Sequence, residues 1–148
     1  MTGTHGAHRG TTAETPPEAC VVDTDVVSYL FRGSPVAQLY RKHLTGKLLV
    51  ISFMTLAEIR LGMLEAGWGV ERTGRMEAYL KQFVQYMCDG DLCHAWAQVV
   101  HSERARGSTI GMQDAWIAAT AIQNGVPLVT HNRRHFEGVS GLAVISEA

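Results

Sequence analysis

The sequence predicts an α/β fold, one domain with a central, mostly parallel sheet flanked by helices. Two observations carry that expectation. Short apolar runs bounded by turn residues alternate with longer segments whose apolar residues recur at helical spacing, as when strands of one sheet are joined by helical crossovers. The length, 148 residues, suits a single domain able to bury about two-thirds of its unfolded surface.

The elements follow in order. Ala19-Cys20-Val21-Val22-Asp23 is a buried first strand ending on a carboxylate, and Val27, Leu30 and Phe31 mark a short helix after it. Pro35, with φ already set for a first helical turn, opens a helix to about Leu44, and Gly46 closes it. Lys47 to Ser52 forms the second strand, and a helix from about Met54 to Ala66 stops at Gly67-Trp68-Gly69. Met76, Leu80, Phe83 and Met87 are spaced as the buried stripe of a helix from Glu71 to Gln85. Leu92, Ala95, Val99 and Val100 give the same signal for Asp91 to Arg106. A helix over Gln113 to Gln123 ends at Asn124-Gly125, a left-handed stop. Pro127 to Thr130 is a further strand and Leu142 to Ile145 an edge strand. Trp96 and Trp116 sit within apolar stripes and read as core or dimer-interface residues.

Composition narrows the function classes. Met1 to Glu18, rich in Gly, Thr, His and Pro, reads as a disordered tail without the apolar core of a signal peptide, leaving 19–148 as the domain. His5 and His8 fall in that tail. No apolar run reaches the roughly 18 residues of a membrane span. Cys20, Cys88 and Cys93 form no C-x-x-C pair, so neither a disulfide framework nor a zinc site is indicated, and a reducing cytoplasm fits. A formal charge of −1 gives no bulk attraction to nucleic acid. Any such attraction must be local, with Arg104, Arg106, Arg133 and Arg134 the candidates beside solvated-surface readings of each pair.

In parallel α/β sheets the ligand crevice lies beyond the carboxyl ends of the strands. That rule selects Asp23 at the end of the first strand, Glu58 in the helix after the second, Asp114 opening a late helix and Asn132 past the Val129-Thr130 strand end. Each also has an ordinary explanation. Thr55-Leu56-Ala57-Glu58 has the form of a capping box, Asp114 suits a helix start, and Asp23 or Asp25 suits an N-cap. Jointly, three carboxylates in one crevice raise one another's pKa values until a cation compensates them. Oxygen donors alone suit Mg²⁺ or Mn²⁺, ions that activate water and hold phosphates, so the chemistry indicated is phosphodiester hydrolysis.

Four segments carry a resemblance: Val21-Val22-Asp23-Thr24-Asp25-Val26-Val27-Ser28, Thr55-Leu56-Ala57-Glu58-Ile59-Arg60-Leu61-Gly62, Asp114-Ala115-Trp116-Ile117-Ala118-Ala119-Thr120-Ala121 and Leu128-Val129-Thr130-His131-Asn132. In this order and spacing the chain, from Cys20 to Ile145, resembles PIN-domain nucleases, and more narrowly the VapC-type toxins of bacterial toxin–antitoxin pairs. The resemblance implies a Mg²⁺- or Mn²⁺-dependent endoribonuclease, usually a homodimer. It further implies inhibition by a cognate antitoxin, through which alone the protein meets DNA. It also implies that Asp23 and Asp114 bind metal, that Glu58 completes the acidic site and that Thr130 supports it. Two departures stand out: Asp25 occupies a place usually held by Asn, and Asn132 one where many members carry a fourth acid.

Other readings stand beside it. His131 and His135, four apart, lack further ligands for zinc. Asp23-Thr24-Asp25-Val26 is similar to the opening of haloacid-dehalogenase-type phosphatases, but no lysine follows Lys81. A third reading has the domain act mainly by binding an antitoxin in an operator-binding complex.

Overall fold

The computed structural model describes residues 17–148, so the tail expected over 1–18, with His5 and His8, lies almost wholly outside the described residues. Five strands form one sheet: β1 (Ala19–Val22), β2 (Leu48–Ser52), β3 (Val84–Tyr86), β4 (Leu128–Val129) and β5 (Val144–Ile145). The order is β3-β2-β1-β4-β5 and every pairing is parallel, so the expected mostly parallel sheet is wholly parallel among the described residues. The crossovers carry α1 (Thr24–Arg32) and α2 (Pro35–Leu44), α3 (Phe53–Glu65) and α4 (Val70–Leu80), α5 (Gly90–Ala105) and α6 (Met112–Asn124), and a single-turn α7 (Arg133–Phe136).

Successive strand residues point to opposite faces of a sheet, and here both faces are covered. Val21, Val50 and Leu128 pack with Leu92, Ala95, Val99, Ile117 and Ala118 of α5 and α6. Their neighbours Val22, Ile51 and Val129 pack with Val26, Val27, Tyr40, Ile59, Met63 and Leu80 of α1 to α4. Burial on two sides explains why these strands read as unbroken apolar runs rather than as alternation. The strand order turns around β1: β2 and β3 lie to one side, β4 and β5 to the other. The crevice of such a fold opens at that reversal, beyond the carboxyl ends of β1 and β4.

One expected element is corrected. The helix foreseen from Glu71 to Gln85 stops at Leu80; Gln82 N–H donates to Tyr79 O and Phe83 N–H to Leu80 O in a tight turn, and Val84 to Tyr86 then pair with Val50 to Ser52 as an edge strand. Phe83 is buried, as a helical stripe requires, but Met87 is 62% exposed. Helical spacing persisted through the turn because Phe83 closes the same core from outside the helix. A three-residue edge strand is too short for alternation to reveal. The short α7 was likewise not foreseen.

Candidate active site

Asp23 is the residue at which β1 becomes α1. Its N–H donates to Val129 O, continuing the sheet, while its Oδ1 caps α1 by accepting from Thr24 N–H at 2.8 Å. Its Oδ2 accepts from the buried Thr130 hydroxyl at 2.6 Å, and the Thr130 oxygen in turn accepts from Asn132 N–H at 3.0 Å. The carboxylate is only 5% exposed. Burial, with the charges of Asp25 and Asp114 adding to it, pushes its pKa up to about 7 against the opposing bonds from Thr130 and Thr24. The N-cap reading of Asp23 is therefore right and incomplete, because capping by a neutral Asn or Ser would avoid this cost.

Asp25, the second residue of α1, accepts from Val26 N–H at 2.7 Å and His131 N–H at 3.2 Å, tying α1 to the segment after β4. Burial raises it too.

Glu58 comes from the neighbouring crossover. Ser52 caps α3, its Oγ accepting from Met54 N–H at 3.1 Å, so Glu58 lies beyond the reach of a capping box. That ordinary explanation is overturned: Glu58 Oε1 accepts instead from the Thr24 hydroxyl at 2.9 Å, across to α1. Burial, then Asp114 and Asp25, raise its pKa.

Asp114 stands in the first turn of α6, where the helix dipole favours a carboxylate. Its Oδ2 lies 3.0 Å from His135 Nδ1. Burial raises its pKa while His135 opposes. All four acids are shifted toward the protonated form, burial being the first cause of each. Asp114 acts on the other three across the crevice.

Among the described residues, no three His, Cys, Asp or Glu side chains close on one point as a finished coordination cluster. The four acids instead stand near enough for their charges to act on one another. A set of carboxylate oxygens without cysteine fits a hard ion such as Mg²⁺, which takes oxygen ligands and keeps several waters, better than zinc, whose sites are built mainly on His nitrogen and Cys sulfur.

The PIN-domain family model matches residues 20–142. The chain belongs to the PIN-domain family. It is 33% identical over 84 residues to Ribonuclease VapC4 of Mycobacterium tuberculosis, a match covering 55% of this chain and 65%, just under two-thirds, of that relative. It is 27% identical over 125 residues to Ribonuclease VapC1 of Haemophilus influenzae strain R2866, covering 82% and 92% of the two chains. The structure of VapBC-1 from nontypeable H. influenzae superimposes with a TM-score of 0.73 at 25% identity, over 86% of this chain and 97% of that one. Membership sets aside the phosphatase comparison.

The remaining foreseen residues of this PIN domain divide. Thr130 is in the site; Asn132 is exposed at the start of α7 and joins it through its backbone N–H. Arg134 and His135 line a groove with Asp114 and also the adjoining one, which Asn132 and Arg133 line with them. Arg104 is exposed, but Arg106 is bound to the buried Glu103 carboxylate at 2.8 Å and to Glu137 O at 3.3 Å. The two histidines do not converge: His131 Nδ1 lies 2.6 Å from the Tyr40 hydroxyl, and His135 meets Asp114.

Four residues were missed. Thr24, which bridges Asp23 to Glu58, was legible as the residue following the first acid. His135 was weighed only as half of a zinc pair. Arg32 and Arg72 line a groove together with Glu58 and Thr24, and no pattern in the sequence joins α1 to α4 there.

Proposed function

We propose that this PIN domain is a Mg²⁺- or Mn²⁺-dependent endoribonuclease, the toxin of a toxin–antitoxin pair, hydrolysing RNA phosphodiester bonds. The observation that carries the metal is Asp23, a carboxylate buried at the sheet's reversal and raised to about 7 by burial and by its acidic neighbours. Such a group is held at a cost unless a cation offsets it.

Asp23 and Asp114 would hold the ion, with Glu58 completing the acidic site. When bound, the ion supplies Lewis-acid charge that makes water a competent nucleophile and offsets charge growing on the phosphate. The protein's own groups do the rest. Thr130 fixes the Asp23 carboxylate and Thr24 fixes Glu58, so the oxygens are aimed before substrate arrives. Arg134 in the Asp114 groove, and Arg32 and Arg72 in the Glu58 groove, supply cationic flanks for an RNA backbone running past the acids. Arg104 and Arg133, both exposed, would add weaker backbone contacts, and Arg106 serves mainly to neutralise Glu103.

The antitoxin partner rests on the resemblance to VapC toxins and on the fold shared with the Haemophilus VapBC-1 structure. Leu61, Leu64 and Val70, at 54%, 80% and 94% exposure, are apolar side chains that a partner helix or a second copy would cover. DNA is met only through the antitoxin. A homodimer in the cytoplasm completes the reading.

The test is cleavage of RNA by the purified chain with Mg²⁺ or Mn²⁺, with chelator, and after Asp114→Asn. Cleavage that needs the ion and is lost in the variant supports the reading. Equal cleavage in chelator, or by the variant, sinks it.

A further inference from the structure

The connection from β3 to α5 brings two thiols together. Cys88 and Cys93 are five residues apart, yet their sulfurs lie 3.6 Å from each other, both exposed. The cause is a helix start. Asp89 is the N-cap of α5, its Oδ1 accepting from Leu92 N–H at 2.8 Å, and its carbonyl accepts the first helical bond from Cys93 N–H at 3.0 Å. That cap folds the chain back so that Cys88, just before it, faces Cys93, one turn into the helix. The juxtaposition is thus a product of backbone hydrogen bonds and persists whether or not the sulfurs react. The third cysteine, Cys20, is fully buried in β1.

We propose that Cys88 and Cys93 are an oxidisable dithiol, closing to an intramolecular disulfide in exchange with a low-molecular-weight disulfide such as glutathione disulfide. The step balances as two successive exchanges. One thiolate attacks the small disulfide, forming a mixed disulfide and releasing one glutathione thiolate. The second protein thiolate then attacks the protein sulfur of that adduct, forming the Cys88–Cys93 bond and releasing the second glutathione. The protein loses two protons and two electrons, and glutathione disulfide is reduced to two glutathione molecules.

Closure needs the sulfurs to approach from 3.6 Å to the roughly 2.05 Å of a disulfide. Both sulfurs stand on exposed side chains already in contact, so closure asks for a short approach rather than a refolding of the connection. Partial desolvation at the contact, then the hydrogen bond with Cys93 and the charges of Cys93 and Asp89, push the Cys88 thiol up, so exchange quickens in alkali. Once closed, the bond ties the edge strand β3 to α5, whose Trp96 stacks on Trp116 of α6 at 5.0 Å between ring centroids. The pair is separate from the acidic site, so it stands or falls independently of the ribonuclease reading.

The test exposes the purified chain to glutathione disulfide at mildly alkaline pH, followed by intact mass, thiol counting and peptide mapping, beside Cys88→Ser and Cys93→Ser. The expected wild-type product has lost the mass of two hydrogens, carries one Cys88–Cys93 link and is restored by dithiothreitol. It should exceed glutathione adducts by about tenfold or more, because the second exchange is intramolecular. Each single variant should instead retain one glutathione. Wild-type protein that accumulates glutathione adducts, links to a second chain, or keeps both thiols while the variants react overturns the proposal.

Discussion

The crevice has two walls of the same chemistry and different construction. The strand wall is Asp23 and Thr130, both buried, with the half-buried Asp25 beside them, and it is tied by hydrogen bonds to the sheet and to the first turn of α1. The helix wall, Glu58 and Asp114, is half-buried, and each acid meets one polar side chain, Thr24 or His135. Both walls present carboxylates to the same space. Under the proposed function, the difference teaches that the strand wall serves the fold and the site at once, whereas the helix wall serves the site alone. Substitutions there should separate in their effect on stability while agreeing in their effect on activity.

The largest expected effect tests the agreement. Asp23→Asn and Asp114→Asn should each lower metal-dependent RNA cleavage by at least about a hundredfold, and Glu58→Gln by about tenfold. Rate assays at saturating Mn²⁺ check this. A wild-type rate in either aspartate variant would break the pairing of the walls.

The next effect tests the separation. The folded Asp23 carboxyl, at about 7 against an ordinary 3.8, keeps a proton that the unfolded chain gives up. Its contribution therefore favours the metal-free fold below the unfolded value and is lost as pH rises through about 7. Metal-free protein should melt at lower temperature at pH 8 than at pH 5.5, and Mn²⁺ should recover more at pH 8. Asp23→Asn should flatten that pH dependence by removing a buried charge, and Asp114→Asn should alter it much less. Thermal melts across pH decide the matter; identical profiles for the two variants would erase the distinction.

A smaller effect probes the support of the strand wall. Thr130→Val removes the hydroxyl that donates to Asp23 and accepts from Asn132, at a cost of about 1–3 kcal/mol in stability. Its rate should fall by about tenfold with the acids intact. The smallest concerns the helix wall. His135→Ala frees one side of Asp114 and should shift the half-saturating Mn²⁺ concentration by no more than about threefold, as befits an exposed pair.

The walls also differ in how far the sequence revealed them. Asp23 was legible because an acid following a buried apolar run is costly, and the strand-end rule placed it. Glu58 was ambiguous on residues alone, since Thr55-Leu56-Ala57-Glu58 has the spacing of a cap; only the structure shows Ser52 filling that role. Thr24 and His135 were hidden because each matters through a contact across the crevice rather than through a local pattern. The same contrast runs through the fold. The central strands β1, β2 and β4, apolar on both faces, announced themselves, while β3, exposed and three residues long, exists by pairing with β2 and was read as helix. The Cys88 and Cys93 contact depends on the Asp89 cap at the start of α5, just after that strand, and the spacing of the two cysteines alone concealed it.

The central claim, that the acids of both walls gather one divalent ion, is tested most directly by calorimetric titration of Mn²⁺ at pH 6.5 in two buffers of different ionisation enthalpy. Wild-type protein should bind the ion and release protons as it does so, because binding displaces protons from carboxyls whose pKa values are raised. Asp23→Asn and Asp114→Asn should each lose most of the binding. Wild-type protein that fails to bind, or variants that bind as tightly and release as many protons, would contradict the account.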